Sequence, residues 1–549
     1  MPRIPGSSSP VAPRFTTPTA PTADVQNTSV TTGVQNGFET ARSESVFEAY
    51  FTPYDPAAKA EVALLDKVMA ARKADPTVYP KGENPYKIQY AVYNLRSPGI
   101  IKRLIEATKM GVDVQVLIES AQIAPDRPWN KVDETFADAG LSVVYSDREA
   151  PEEVRNAAHL VGIESNHLMH MKARIFQYKD PDTGELEHAV LSGSMNPGDG
   201  ASKNDENLNL IEMPSVVKQY QEKFDDVLNA RRSINTWDAD RGLNVLFTPN
   251  KGGPRPIEKL FEWIDAENEL IMLSVFDIKN IKDPVSRKSL VDKLAEAKDR
   301  GVEVAVITDR KKSDGLDSEG NRVFMYGHAA SNNWFDEDLE KHGIPVYEFT
   351  NEAGEFNAMH PKAAIFGLTD MKVISGAGNW TRAGMGSGNK RGRNEETFIF
   401  VESNKLDNNR TGMRYLANAL YLLRNYDHQN TEHDPAETFI DRLQQREGWP
   451  EVSLDPTSLL PPDFEGEAYL VGEHPALEGR NGEPGLKLST RSNLLSAMTR
   501  PQLSVPFGTS LTYDVVTRDA QGQETVIGDD LTLVVMPDNV AKPRIPGAE

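Results

Sequence analysis

The stretch HMKARIFQYKD (residues 170–180) decides how this chain is read, because HPKAAIFGLTD (residues 360–370) repeats it. Each opens with His-x-Lys and runs into an apolar segment. In an extended strand, residues i and i+2 point to the same face, so His170 projects with Lys172 and His360 with Lys362. One such triplet arises by chance. Two at matched positions of a repeat are much stronger evidence.

The repeat extends outward from these triplets. Gly111 and Gly301 are 301 − 111 = 190 residues apart, and His170/His360 and Glu206/Glu396 share that offset. The run KIQYAVYNLRSPGIIKRLIEATKMGVDVQVLIES answers to ELIMLSVFDIKN…SLVDKLAEAKDRGVEVAVITDR. Both read as strand, helix, glycine stop and strand, which implies parallel pairing. FADAGLSVVYS and LEKHGIPVYEF then give helix end, glycine and strand again. A period this long signals a duplicated domain, not a solenoid.

Composition sets the limits. The chain has 549 residues, 38% hydrophobic and 26% charged, which is too long for one core and suits a globular protein of several domains. Its formal net charge of −22 argues against a general polyanion binder. With no cysteine there is neither a disulfide framework nor a thiolate metal site. No apolar run approaches the roughly 20 residues of a membrane span, and the N-terminus lacks the apolar core of a secretory signal. A soluble protein is expected, cytoplasmic or exported by a leaderless route. The expected organisation is a disordered Ser/Thr/Pro-rich leader at 1–44, a first half at 45–240, a second at 241–448, a Pro-rich linker at 449–465 and a small β-sandwich at 466–549.

Chemistry clusters in the repeat. Gly193 and Gly376 close the runs HAVLSGSMNP and MKVISGAGNWT and deliver Asn196 and Asn379 to strand ends. Downstream, NDENLNLIE and NEETFIF each place Asn-x-Glu before an apolar run: Asn204 with Glu206, and Asn394 with Glu396. His, Lys, Asn and Glu, twice over, suit attack on a phosphodiester. A neutral imidazole can attack phosphorus, and a second can protonate the leaving alcohol. Two ammoniums and two amides can hold the non-bridging oxygens as charge develops. Each Glu is expected to accept from the far ring nitrogen of the His in its own copy, fixing the tautomer. Asp180 and Asp370 read as turn formers, and His167 as a neighbour of the site. No other metal-ligand or nucleotide motif stands out.

This pattern resembles the phospholipase D superfamily, whose signature is His-x-Lys-x4-Asp, Gly-Ser-x-Asn and Asn-x-Glu in two copies. The resemblance covers roughly Val46 to Gly448. It implies two α/β halves with mixed, mostly parallel sheets about a pseudo-twofold axis, one site between them, a covalent phosphohistidine, and neither metal nor cofactor. On that basis His170 is the nucleophile, His360 the general acid, and Lys172, Lys362, Asn196, Asn379, Glu206 and Glu396 complete the catalytic set. The sequence departs from the signature in three places. Gln177 and Gly367 stand where the family has Asp, and Ala377 replaces the second-copy Ser. The tyrosyl-DNA phosphodiesterase branch also lacks that Asp.

Residues 466–549 resemble a glucoamylase-type starch-binding domain. No Trp follows Trp449, so those stacking platforms are missing; Tyr469, Tyr513 or Phe507 could substitute, and each reads equally well as core of an accessory sandwich. The expected partner is a phospholipid or other phosphodiester. Peripheral membrane contact and carbohydrate at the C-terminal module are further candidates, and nucleic acid ranks lower. The alternatives are a nuclease or end-processing diesterase on the same scaffold, and a glycan-binding protein with an inactive site.

Overall fold

The computed structural model describes residues 46–53, 55–80, 82–124, 130–164, 168–198, 200–313, 324–325, 328–329, 335–349, 358–387, 393–427, 435–446, 453–454, 467–479, 484–488, 503–504, 509–518 and 521–535. The leader at 1–44, most of the 449–465 linker, His167 and Phe507 lie outside the described residues.

The first half contains strands β1 (Phe47–Thr52), β2 (Lys87–Val92), β3 (Asp113–Glu119), β4 (Val143–Val144), β5 (Leu160–Ile163), β6 (Lys172–Lys179), β7 (Leu186–Gly193) and β8 (Glu206–Ile211). They form one sheet in the order β1-β8-β7-β6-β2-β3-β5-β4. A short parallel ribbon, β9 (Ser233–Ile234) with β11 (Asn250–Gly252), links the halves. The second sheet runs β10-β19-β18-β17-β12-β13-β16. Its strands are β10 (Leu243–Thr248), β12 (Leu270–Val275), β13 (Glu303–Asp309), β16 (Val346–Phe349), β17 (Lys362–Phe366), β18 (Lys372–Gly376) and β19 (Glu396–Glu402). A hairpin of β14 (Phe324–Met325) and β15 (His328–Ala329) stands apart.

Both sheets are mixed. The strand–helix–Gly–strand units pair in parallel, β2 with β3 and β12 with β13. The strands that carry the site pair antiparallel: β6 with β2 and β7, and β17 with β12 and β18. Helix α2 (Pro98–Lys109) shows why the predicted unit forms. Proline opens it, Ile100, Ile101, Leu104 and Ala107 fall on one buried stripe, and Gly111 follows at φ 85°, a conformation open to glycine.

The outer face of the first sheet is covered by α1 (Ala57–Ala74), α2 and α3 (Val132–Asp138). After the short α4 (Glu152–Ala157), α5 (Pro214–Leu228) closes this half. In the second half α6 (Pro256–Ala266), α7 (Leu290–Asp299) and α9 (Phe335–Glu340) cover the outer face. The short α8 (Arg310–Ser313) and α10 (Ser403–Asp407) precede α11 (Arg410–Asp427) and α12 (Ala436–Gln444). The inner faces of both sheets share one core with α5, α11 and α12, including Ile175, Val190, Tyr220, Phe224, Ile365, Val373, Leu416 and Leu420. Burying each large apolar side chain is worth ~1.5–3 kcal/mol, so the two halves fold as partners. Polar groups meet across this core: Tyr415 donates to Asn209 Oδ1 at 2.7 Å, and Asn207 Nδ2 to Ser375 Oγ at 2.8 Å.

The offset of 190 conceals two compensating length changes. Gly140 and Gly343, the matched stops before β4 and β16, lie 343 − 140 = 203 residues apart. The first half makes up the difference with α4 and β5, and β5 is inserted between β3 and β4. In the second half β16 pairs directly with β13.

In the C-terminal module, β21 (Glu467–Val471), β22 (Leu486–Leu488), β24 (Ser510–Arg518) and β25 (Glu524–Val534) form an antiparallel sheet, with β20 (Ser453–Leu454) and β23 (Leu503–Ser504) as a separate ribbon. A second layer of the expected sandwich is not defined among the described residues. Tyr469 and Tyr513 are 0% and 2% exposed. Of the two readings open to them, core and sugar platform, burial favours core, because a stacking platform must present its ring to solvent.

Candidate active site

The two His-x-Lys segments open interior strands, β6 and β17, and each is held there by the other half. The backbone N–H of His170 donates to Glu395 O at 3.0 Å, and Glu395 N–H donates to Leu168 O at 2.8 Å. The same bridge recurs in reverse: His360 N–H donates to Asp205 O at 2.9 Å, and Asp205 N–H to Ala358 O at 3.0 Å. The middle residue of each Asn-x-Glu therefore carries the histidine of the opposite copy.

The side chains follow the same rule. His170 Nδ1 lies 2.9 Å from Glu396 Oε2, and His360 Nδ1 lies 2.8 Å from Glu206 Oε2. The expectation that each Glu serves the His of its own copy is corrected: the pairing is crosswise. In-copy pairing is displaced because the backbone bridges bring the head of β19 to His170 and the head of β8 to His360. Each carboxylate is also held by the Asn two residues before it, Asn204 Nδ2 at 3.3 Å and Asn394 Nδ2 at 3.0 Å. Glu206 accepts a further bond from Ser194 Oγ at 2.6 Å. Ala377, the residue matched to Ser194, has no hydroxyl to give Glu396, so the two carboxylates are not equivalent.

Lys172 and Lys362 donate to the carbonyls of their own histidines, at 2.8 and 2.6 Å. They are 0% and 1% exposed. Burial pushes the Lys172 ammonium down to about 8 and the Lys362 ammonium down to about 7, against the attraction of both Glu206 and Glu396. Burial likewise lowers both imidazoles, His360 to about 4, while its partner carboxylate acts to raise each. The charge of Lys362 is felt at His170, and that of Lys172 at His360, which places both copies in one electrostatic cluster. Burial opposes the charged form of Glu206, yet His360, Lys362 and Ser194 together hold it below the usual carboxylate range.

Asn196 and Asn379 follow the glycine turns as predicted, and both side-chain oxygens are buried with no hydrogen-bond partner among the described residues. Asp180 caps its own turn, accepting from the N–H groups of Asp182 and Thr183, and Asp370 accepts from Asn404. Neither joins the cluster. Among the described residues, no group of three or more His, Asp or Glu is placed to hold a metal, and no helix is long and apolar enough to cross a membrane.

Sequence reading missed three features. Tyr93 and Phe276 pack edge-on against His170 and His360, with ring centroids 5.1 and 4.8 Å apart. They occupy matched places just past β2 and β12, where VYNL answers VFDI, so the repeat alignment carried a signal for them. Buried Arg174 donates to the carbonyls of Lys172 and Met195, at 3.2 and 2.8 Å, and pairs with buried Glu61 through two contacts of 3.2 Å. The second copy has Ala364 in its place, so the repeat gave no hint of Arg174.

The neutral ring form with its proton on Nδ1, toward the carboxylate, leaves the Nε2 lone pair free. That tautomer can attack phosphorus, and the protonated ring can supply a proton to a leaving oxygen.

Comparison with known proteins bears on the same residues. Residues 84–228 and 265–410 each match the family model described as cardiolipin synthase, PLD-like domain, so each match contains one His-x-Lys and together they exceed half the chain. A search of curated proteins gives no match. Similar solved structures include phosphatidylserine synthase from Haemophilus influenzae, at 10% identity over 69% of this chain and 86% of that one (TM-score 0.43). Polyphosphate kinase from Porphyromonas gingivalis is 16% identical over 74% of this chain (TM-score 0.42), and the match spans only 57% of that protein. Yeast tyrosyl-DNA phosphodiesterase is 12% identical over 65% of this chain and 91% of that one (TM-score 0.38). The assignment rests on the family model and not on these distant likenesses. With the model matched in both halves, this chain belongs to the phospholipase D superfamily.

Proposed function

We propose that the protein is a phosphodiesterase that cleaves the phosphatidyl group of phospholipids, or transfers it to an alcohol, through a covalent phosphohistidine. The observation that carries this reading is the crosswise pair of imidazoles, each fixed at Nδ1 by a carboxylate of the opposite half. One Nε2 attacks phosphorus as the P–O bond to the leaving alcohol breaks, and the other imidazolium gives that oxygen its proton. Water or a second alcohol then loses a proton to the second ring and attacks phosphorus, and the P–N bond breaks. Lys172, Lys362, Asn196 and Asn379 face the charge that develops on the non-bridging oxygens. The family resemblance assigns attack to His170. The acidic net charge favours a lipid over a long nucleic acid.

A panel of phospholipids and labelled DNA, read for released alcohol or nucleotide, tests the substrate class. Turnover of lipid that is abolished in His170→Ala and His360→Ala is expected. Turnover of DNA alone would move the protein to the nuclease reading, and unchanged turnover in both variants would end both readings. Mass spectrometry of enzyme quenched during turnover locates the phosphoryl adduct and decides which histidine attacks.

A further inference from the structure

The two sides of the site are not alike. In the second half the connection from β12 to α7, Phe276–Ser289, is long and folds back on its helix. Ile278 and Ile281 are buried, Leu290 N–H donates to Ile281 O at 2.8 Å, and Val291 N–H donates to Asn280 Oδ1 at 3.1 Å. The matching connection in the first half is only Tyr93–Ser97, and Pro98 and Gly99 at the start of α2 are exposed. There a cavity of about 560 Å³ opens between α2 and α3. It borders the site through Arg96, whose N–H donates to Pro197 O at 2.9 Å, one residue past Asn196. From there it follows α2, a helix ~18 Å long at 1.5 Å per residue.

Its lining has two characters. Ile101 and Ile105 form an apolar floor, while Arg96, Lys102, Lys109 and Lys131 stand exposed around the rim. Among the described residues that line it the one carboxylate, Glu106, lies 3.8 Å from Lys102. A local excess of cations beside apolar side chains is unexpected in a chain of net charge −22.

We propose that this groove docks the protein on an anionic phospholipid surface, with one lipid chain lying over Ile101 and Ile105 and neighbouring head groups meeting the rim lysines. The inference builds on the lipid reading of the active site, since docking here would bring a head group to Asn196. Its test is kept separate by reading binding without turnover. Polybasic clusters bind such surfaces and apolar side chains add insertion, and salt weakens the first contribution but not the second.

Co-sedimentation of the full chain with vesicles tests it, using pure phosphatidylcholine and phosphatidylcholine with one part in three phosphatidylglycerol. Binding to the second vesicle only is expected, weakening as salt rises. The double substitution Lys102→Glu with Lys131→Glu should lower it at least about tenfold. Ile105→Asn should lower it at both low and high salt, and both variants should turn over bis(p-nitrophenyl) phosphate as the parent does. Undiminished vesicle binding in both variants overturns the proposal. So does tighter binding of a single-stranded oligonucleotide that the same charge reversal abolishes. Failure of the catalytic reading would show differently, as intact vesicle binding with no turnover of any diester.

Discussion

Glu206 in the first half holds the imidazole of His360 in the second, with Nδ1 and Oε2 2.8 Å apart. Burial drives that imidazole down to about 4, and Glu206 is the main influence acting to raise it. Replacing Glu206 with Gln should therefore lower the pKa of His360 further and leave His170 in place, as followed by NMR titration of the imidazoles. A shift at His170 instead would restore the in-copy pairing. The rate should fall about 10²–10⁴-fold at neutral pH, the range of a general acid–base contribution.

The same depression fixes an acid sensitivity. The folded pKa of His360 lies below the unfolded value of ~6.5, so the unfolded chain takes up a proton first as pH falls. This histidine favours the fold above ~pH 6.5 and withdraws that support progressively toward pH 4.

Lys362 illustrates the opposite trade. Its ammonium is buried and pushed down to about 7, while an unfolded lysine stays charged to ~10.4. At pH 7 the unfolded chain binds the extra proton, so this residue costs stability there, and the cost fades as pH rises toward 10. Lys362→Met should abolish turnover yet raise the unfolding free energy by ~1–3 kcal/mol at pH 7. Denaturant melts at pH 7 and pH 10 check this, and the gain should shrink at the higher pH. A variant less stable than the parent at pH 7 would contradict it.

Arg174 ties stability to the site. It is buried, it neutralises buried Glu61, and it holds the carbonyl of Met195, beside Asn196. Arg174→Met leaves the Glu61 carboxylate without its cation, at an expected loss of ~3–5 kcal/mol. Adding Glu61→Gln should recover much of the stability. Turnover should stay low in the double variant, because the Met195 carbonyl beside Asn196 then loses its Arg174 donor. Full recovery of kcat alongside stability would show that Arg174 acts on the fold alone.

Some of this was legible before any coordinates. The strand–helix–glycine order shows in hydrophobic period and turn residues, which are local properties, and the repeat made paired His, Lys, Asn and Glu stand out from chance. Other features left no local trace. Arg174 and Glu61 lie 113 positions apart and meet only because α1 packs on β6. The insertion of β5 went unseen because a length change elsewhere restored the offset of 190 residues. Tyr469 and Tyr513 offered no sign that they face inward, since alternation along a strand identifies two faces without saying which one is covered.

The sequence by itself singled out the paired His, Lys, Asn and Glu, because they recur at matched positions and strand and helix periods fix the direction of each side chain relative to its own backbone. Only the tertiary structure decided their partners. The two sheets press their inner faces into one core, and the strand ends that carry Glu206 and Glu396 are thereby carried to the opposite half. Which carboxylate meets which imidazole depends on that packing across hundreds of residues, and no spacing within either copy encodes it.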